Sequence, residues 1–211
     1  MIDQDKYNEF KKNQGPIIDE DFEIRVVDDV LTEENIKDLY KIIEQSESTV
    51  QAWGGRKSWN LMVDKHMYQR LNQVIRDKIG ITLILKEYFF IRYNPKYGYI
   101  PKLFPHYDDR VSQRVTIDIQ LNSNQDWGVV VEGKETVLKY NQGLIFAGTQ
   151  QQHWREHIDL REDAEIDMLV CNFSYLPDRP LQENHFKMQD ERSNFLIDLT
   201  GIGNKDEKYS S

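Results

Sequence analysis

The sequence predicts a mainly β domain with helices on its N-terminal side, an α+β arrangement whose core is a double-sheet jelly roll. Three observations carry that expectation. From Ile81 to Tyr175, β-branched and aromatic residues dominate. Turn residues cut this stretch at short intervals, as at Asn94-Pro95 and Asn141-Gln142-Gly143. Upstream, two segments repeat apolar residues at helical rather than strand spacing. Reading between the breaks places strands near 83–93, 104–108, 114–121, 127–131, 136–139, 144–147, 153–157 and 165–175. Short strands in that number close naturally as two packed sheets.

Residues 1–20 are polar, with Gly15-Pro16 as a breaker, and read as a loose lead-in or a short helix. Phe22 to Val27 alternates imperfectly and makes a first strand. Thr32 is a suitable N-cap, and Glu33 and Glu34 stand where a helix dipole favours negative charge. Ile36, Leu39, Tyr40 and Ile43 then form one stripe, predicting a helix over 32–46. Gly54-Gly55 reads as a flexible connection to a second helix, 64–79, with Met67, Leu71, Val74, Ile75 and Ile79 on one face and Gly80 ending it. Such stripes are core-facing, here against the outer face of a sheet. Beyond Pro177-Asp178-Arg179-Pro180 the chain turns polar again, and the apolar run 194–199 predicts a strand or helix that packs back. The organisation expected is a lead-in (1–20), one domain (21–178) and a C-terminal extension (179–211), its last dozen residues loose.

Composition excludes several function classes. A 211-residue chain with 30% charged and 11% aromatic residues describes an ordered globular protein. The net charge of −9 disfavours a general nucleic-acid groove or an anionic membrane surface. A single cysteine, Cys171, rules out an internal disulfide and reads as a small buried side chain in a reducing compartment. Met1 to Gln14 is too polar for a signal peptide, and no apolar run is long enough to span a bilayer, so a cytoplasmic location is expected.

The chemistry gathers at Pro105-His106-Tyr107-Asp108 and at His153 in Gln152-His153-Trp154-Arg155-Glu156. On a strand, residues i and i+2 point to one side, so His106 and Asp108 can reach one ion. With a histidine from a distant strand alongside, they form a facial triad for non-haem Fe(II), leaving coordination positions open. Singly, each residue has a bland reading: His106 a loop histidine, Asp108 and Asp109 turn caps, His153 a satisfied core histidine. His157 is the rival ligand, but on a regular strand it lies about 13 Å beyond His153. His66 and His185 carry no motif.

The order of these motifs, with Phe89-Phe90-Ile91-Arg92-Tyr93 before the first histidine and Leu144-Ile145-Phe146-Ala147-Gly148 before the second, resembles the Fe(II)/2-oxoglutarate-dependent dioxygenases, on the prolyl-hydroxylase-like side of that superfamily. The resemblance is strongest over about 86–176 and includes Val26 to Thr32 leading into the first helix. It implies a double-stranded β-helix core, cupin-like in shape, and an oxidoreductase. Its cofactors would be Fe(II), held by His106, Asp108 and His153, and 2-oxoglutarate as co-substrate. Its reaction would be hydroxylation of an unactivated C–H bond by molecular oxygen, on a peptidyl or free amino acid such as proline or another small molecule.

One departure stands out. The family usually supplies a basic anchor for the far carboxylate of 2-oxoglutarate shortly after the second histidine, where this chain reads Asp163-Ala164-Glu165-Ile166-Asp167. Arg155 is the first substitute, because i+2 from His153 shares its face; Arg161 is the second, though it sits among acidic residues. Either fork can meet a carboxylate through two bonds. Tyr93 resembles the tyrosine that helps hold the co-substrate, or is a core-edge aromatic. Tyr97 and Tyr99, with Lys96 and Lys102, form either a lid that meets substrate or an ordinary solvated turn. Trp127 and Trp154 read as wall packing, and Asn172 and Ser174 as polar residues whose meaning depends on which face they take. The missing base also keeps a second reading open: a cupin-like protein that binds metal or ligand without oxidation.

Overall fold

Burial along one central strand decides the architecture. In the computed structural model, which describes residues 3–51, 54–61, 65–108, 112–156 and 160–200, every residue of the strand Ile166–Ser174 is buried. A strand hidden on both faces needs a layer on each side. Leu169, Cys171 and Phe173 face one hydrophobic cluster, together with the helices. Ile166, Met168 and Val170 face a second cluster inside the barrel.

Seven strands form the major sheet, in the order β1 (Arg25–Val27), β9 (Gly143–Phe146), β6 (Arg114–Ser123), β11 (Ile166–Ser174), β4 (Ile84–Tyr93), β3 (Arg56–Asn60) and β2 (Thr49–Gln51). Four form the minor sheet: β5 (Leu103–His106), β10 (His153–Arg155), β7 (Val129–Val131) and β8 (Lys134–Thr136). All the pairings within the two sheets are antiparallel. This is the jelly roll the sequence predicts. Among the described residues, no helix is long and apolar enough to cross a membrane.

Helix α2 (Glu33–Gln45) starts where Thr32 caps it: the Thr32 hydroxyl accepts from Asn35 N at 3.1 Å, and the Asn35 side chain accepts from Thr32 N at 3.4 Å. It buries Ile36, Leu39 and Ile43 on the outer face of the major sheet, beside Met67, Leu71, Val74 and Ile75 of α3 (Lys65–Ile79). The other sheet is covered by the chain's two ends. Helix α1 (Gln4–Gln14) and helix α4 (Glu183–Thr200) stack Phe10 on Phe195 at 4.1 Å and enclose Tyr7, Trp154 and Leu196 against the minor sheet.

Two differences from the expected elements follow from turn chemistry. Gly54-Gly55 is no loose connection: it lies within the β2–β3 hairpin, which adds two strands to the major sheet. Gly55 has φ +59°, and a Cβ there would sit 2.4 Å from the backbone of Ile100, a position only glycine fills. The strand expected at 136–139 begins earlier, at Lys134, because Glu132 and Gly133 (φ 50° and 83°) close a two-residue hairpin from β7.

Candidate metal centre

Adjacent strands of the minor sheet bring the two histidines together. His106 of β5 pairs directly with His153 of β10, and their rings lie 4.2 Å apart. The next pair along is Leu103 with Arg155, so three steps on β5 oppose two on β10. That bulge resets the side-chain alternation, and Leu103 and His106 both face the cavity.

Each imidazole is oriented from behind. His106 Nδ1 lies 2.7 Å from the Phe104 carbonyl and His153 Nδ1 3.1 Å from that of Gln151. With Nδ1–H donating to these carbonyls, the lone pairs of both Nε2 atoms point inward. Asp108, just past β5, is held by its backbone N–H donating to the Gly148 carbonyl at 2.8 Å and by the Thr116 hydroxyl on Oδ2 at 2.7 Å. Its other oxygen, Oδ1, stands 3.4 Å from His153 Nε2 and 3.9 Å from His106 Nε2. Adjacent ligands of one ion, with bonds of about 2.1 Å, sit roughly 3 Å apart. The three ligand atoms, all within 4.8 Å of one another, therefore fit a single cation after small adjustments.

The Thr116 hydroxyl also lies 2.9 Å from the Asn172 side chain. It has one proton, which goes to the charged carboxylate; Asn172 Oδ1 stands beside it as a second acceptor, while the Asn172 amide N–H donates to Glu87 Oε1 at 3.4 Å.

Electrostatics suit a metal. Burial, with the neighbouring His153 adding to it, pushes the His106 pKa down to about 3, so this imidazole is neutral. Burial alone would raise Asp108, but His153, His106 and Thr116 together take it below the usual carboxylate range. Burial alone would depress His153; the Asp108 carboxylate outweighs that and shifts it upward.

Beyond the triad the cavity is lined by apolar side chains such as Phe89, Ile91 and Met168 and by Tyr93, Arg56, Asp118 and Arg155. Arg155 is 1% exposed; its guanidinium donates to the Trp127 carbonyl, contacts Met168 Sδ and lies 4.8 Å over the Trp127 ring. Tyr93 accepts from Arg56 Nη1 at 2.8 Å, and its own proton meets no acceptor among the described residues. Arg161 is elsewhere: its guanidinium bonds the Asn124 carbonyl and pairs with Asp163 at 3.5 Å on an exposed loop. Tyr97 and Tyr99 do not line the cavity; Tyr97 lies under Lys57 at 4.6 Å and Tyr99 is exposed. His157 and Asp109 fall outside the described residues. His185 Nδ1 accepts from Gln182 N at 3.2 Å, and Trp154 is buried beneath the terminal helices.

Two cavity residues escape a sequence reading. Arg56 follows a glycine pair in a hairpin with no apolar pattern to announce it. Asp118 had a signal: Val115-Thr116-Ile117-Asp118-Ile119-Gln120-Leu121 alternates strictly, so its polar members share one face. The acidic Asp163–Asp167 stretch supplies no cation to the cavity, and Asp167 turns outward to a bidentate pair with Arg92 at 2.6 and 2.7 Å.

No family model matches the sequence, and no curated protein matches it. Solved structures do share its fold. An oxidoreductase of the 2OG-Fe(II) oxygenase family from Burkholderia pseudomallei superposes with a TM-score of 0.55 at 11% identity, over 81% of this chain and 89% of that one. HygX from Streptomyces hygroscopicus, with nickel and 2-oxoglutarate bound, gives 0.53 at 9% identity, over 71% and 82%. The non-haem α-ketoglutarate-dependent epimerase SnoN of nogalamycin biosynthesis gives 0.55 at 12%, over 71% and 76%.

Proposed function

We propose that this chain, built on the fold of the 2OG-Fe(II) oxygenases, is an Fe(II)- and 2-oxoglutarate-dependent dioxygenase. The observation that carries the reading is the convergence of His106, Asp108 and His153, with Nε2, Oδ1 and Nε2 turned toward one point. Two imidazoles and one carboxylate leave coordination positions free for a chelating co-substrate and oxygen. Bound there, ferrous iron supplies the activation of oxygen for attack on an unactivated C–H bond.

This chain's residues supply position and charge. The carbonyls of Phe104 and Gln151 fix the imidazole tautomers, and Thr116 and Gly148 fix the carboxylate. Arg56, Tyr93 and Arg155 make the far side of the cavity an anion site, with Tyr93 held by Arg56 and free to donate its own proton. A divalent cation together with Asp108, Asp118, Arg56 and Arg155 leaves a surplus of positive charge that one dicarboxylate neutralises. Arg155 and Tyr93 keep the co-substrate roles the sequence suggests, and Arg56 joins them; Arg161 has no path to the cavity. The cavity volume is about 60 Å³, and the long side chains of Arg56, Arg155 and Met168 bound it.

A peptidyl or free amino acid is the proposed substrate, with proline the first to test. The contrasting reading, a cupin-like protein that binds without oxidising, takes its support from the acidic Asp163–Asp167 stretch. Anaerobic addition of Fe(II) and then 2-oxoglutarate separates the two. The dioxygenase reading expects a visible metal-to-ligand charge-transfer band and, on admitting oxygen, succinate. Metal binding without either outcome favours the binding protein.

A further inference from the structure

Along the interior face of β6, three polar side chains stand in a row, and two of them are hydrogen-bonded. Thr116 donates to Asp108 and lies beside Asn172 Oδ1, and Gln120 Nε2 donates to the carbonyls of Asn122 and Asp167. Asp118, between them, is 7% exposed and lines the cavity, yet its carboxylate makes no hydrogen bond or ion pair among the described residues. Its oxygens are open to the cavity. Its charge acts on His153 and Asp108 of the triad and on Arg155 and Arg56, the two cations of the proposed anion site. Burial lifts its pKa to about 6.

We propose that Asp118 is a specificity-determining residue that trims the far subsite to the charge of a single carboxylate. The inference rests on the co-substrate reading above. Two buried arginines alone match a doubly charged terminus such as a phosphonate, or two separate anions. With an ionised Asp118 lining the same cavity, the site carries one net positive charge, and a terminal carboxylate brings it to neutrality. A neutral terminus leaves a buried positive charge uncompensated, and a doubly charged one leaves a negative charge.

The test uses three 2-oxo acids that differ in the charge at the far end: 2-oxopentanoate (neutral), 2-oxoglutarate (one charge) and 2-oxo-4-phosphonobutanoate (two charges at mildly alkaline pH). Dissociation constants are measured by calorimetry on the full chain saturated with Mn(II), without oxygen, for wild type, Asp118→Asn and Asp118→Ser. Comparing ratios between proteins cancels the steric difference among ligands. Each added terminal charge should gain about ten- to hundredfold in affinity in the variants relative to wild type, as expected for one unit charge removed at close range in a protein interior. Ratios that stay the same in both variants overturn the assignment while leaving the co-substrate site intact. A chain that loses its fold on both changes, judged by circular dichroism, also overturns it, since Asp118 is then a structural group. If metal-loaded wild type binds none of the three acids, the dioxygenase reading itself fails and this inference falls with it.

Discussion

Replacing Gly148 by alanine tests the seat of the metal carboxylate without touching a ligand. A Cβ built on Gly148 would stand 2.1 Å from Asp108 Oδ2 and 2.2 Å from Thr116 Oγ1. Ordinary contact begins at 3.4 Å, so the Asp108 carboxylate has to retreat by about 1.3 Å. Neither neighbour can swing clear cheaply: Thr116 is buried, and Asp108 is tied through its backbone N–H to the Gly148 carbonyl. Metal–ligand bonds tolerate displacements of about 0.2 Å. Losing the support of a ligand costs about 10–100-fold in affinity, and moving the ligand itself should cost at least the upper end of that range. The overpacking should cost about 1–3 kcal/mol of stability. The assay is Mn(II) titration followed by electron paramagnetic resonance, with thermal unfolding on the same samples. A Gly148→Ala protein that is folded and binds Mn(II) as tightly as wild type refutes the geometry proposed for Asp108.

Other outcomes follow from the same contacts. Thr116→Val removes the hydroxyl that donates to Asp108 and should weaken metal binding by about tenfold or more, with little change in fold; unchanged affinity in the same titration contradicts that role. Arg56→Ala and Arg155→Ala should each raise the 2-oxoglutarate dissociation constant by tenfold or more, Tyr93→Phe should do so less, and Arg161→Ala should have no effect; a large loss from Arg161→Ala would relocate the subsite. Metal binding should be pH-dependent in a definite sense. His106, depressed to about 3, is already neutral, whereas His153 is shifted up, so affinity should rise with pH through the His153 titration, with a proton released on binding below it. Calorimetry in two buffers of different ionisation enthalpy measures that proton, and none released contradicts the assignment. Arg192→Met removes the bonds to Glu20, Gln14 and the Gly15 carbonyl, leaving Glu20 with Ile17 N–H and Lys11, and should cost about 1–3 kcal/mol in urea unfolding; no measurable loss would show the network to be dispensable.

What the sequence revealed and what it hid divide along physical lines. The strands of the barrel and the two apolar helices announce themselves because burying one face imposes a period, as in Ile36-Leu39-Ile43 and Met67-Leu71-Val74. Helix α4 does not. The buried side chains on it are His185, Gln189, Arg192 and Leu196, and three of the four are polar. Hydrogen bonds pay for that burial: Gln189 to the Thr149 carbonyl at 2.5 Å, Arg192 to Glu20 at 2.6 Å and to the Gly15 carbonyl at 2.6 Å. A helix held in this way carries no apolar stripe to read. The triad was legible because i, i+2 spacing is a local geometric signal. Arg56 was not, since the register that brings it opposite Tyr93 depends on a hairpin whose glycines look like slack. Arg161 looked eligible by chain position alone, and only the loop it occupies shows that it faces solvent.

The central claim is that three side chains hold one cation, and anomalous scattering from crystals grown with Mn(II) without oxygen tests it most directly. The account predicts a single strong peak within bonding distance of His106 Nε2, His153 Nε2 and Asp108 Oδ1, unbridged by any further protein ligand. A crystal with Mn(II) bound at other residues, or with no peak between these three, would contradict it.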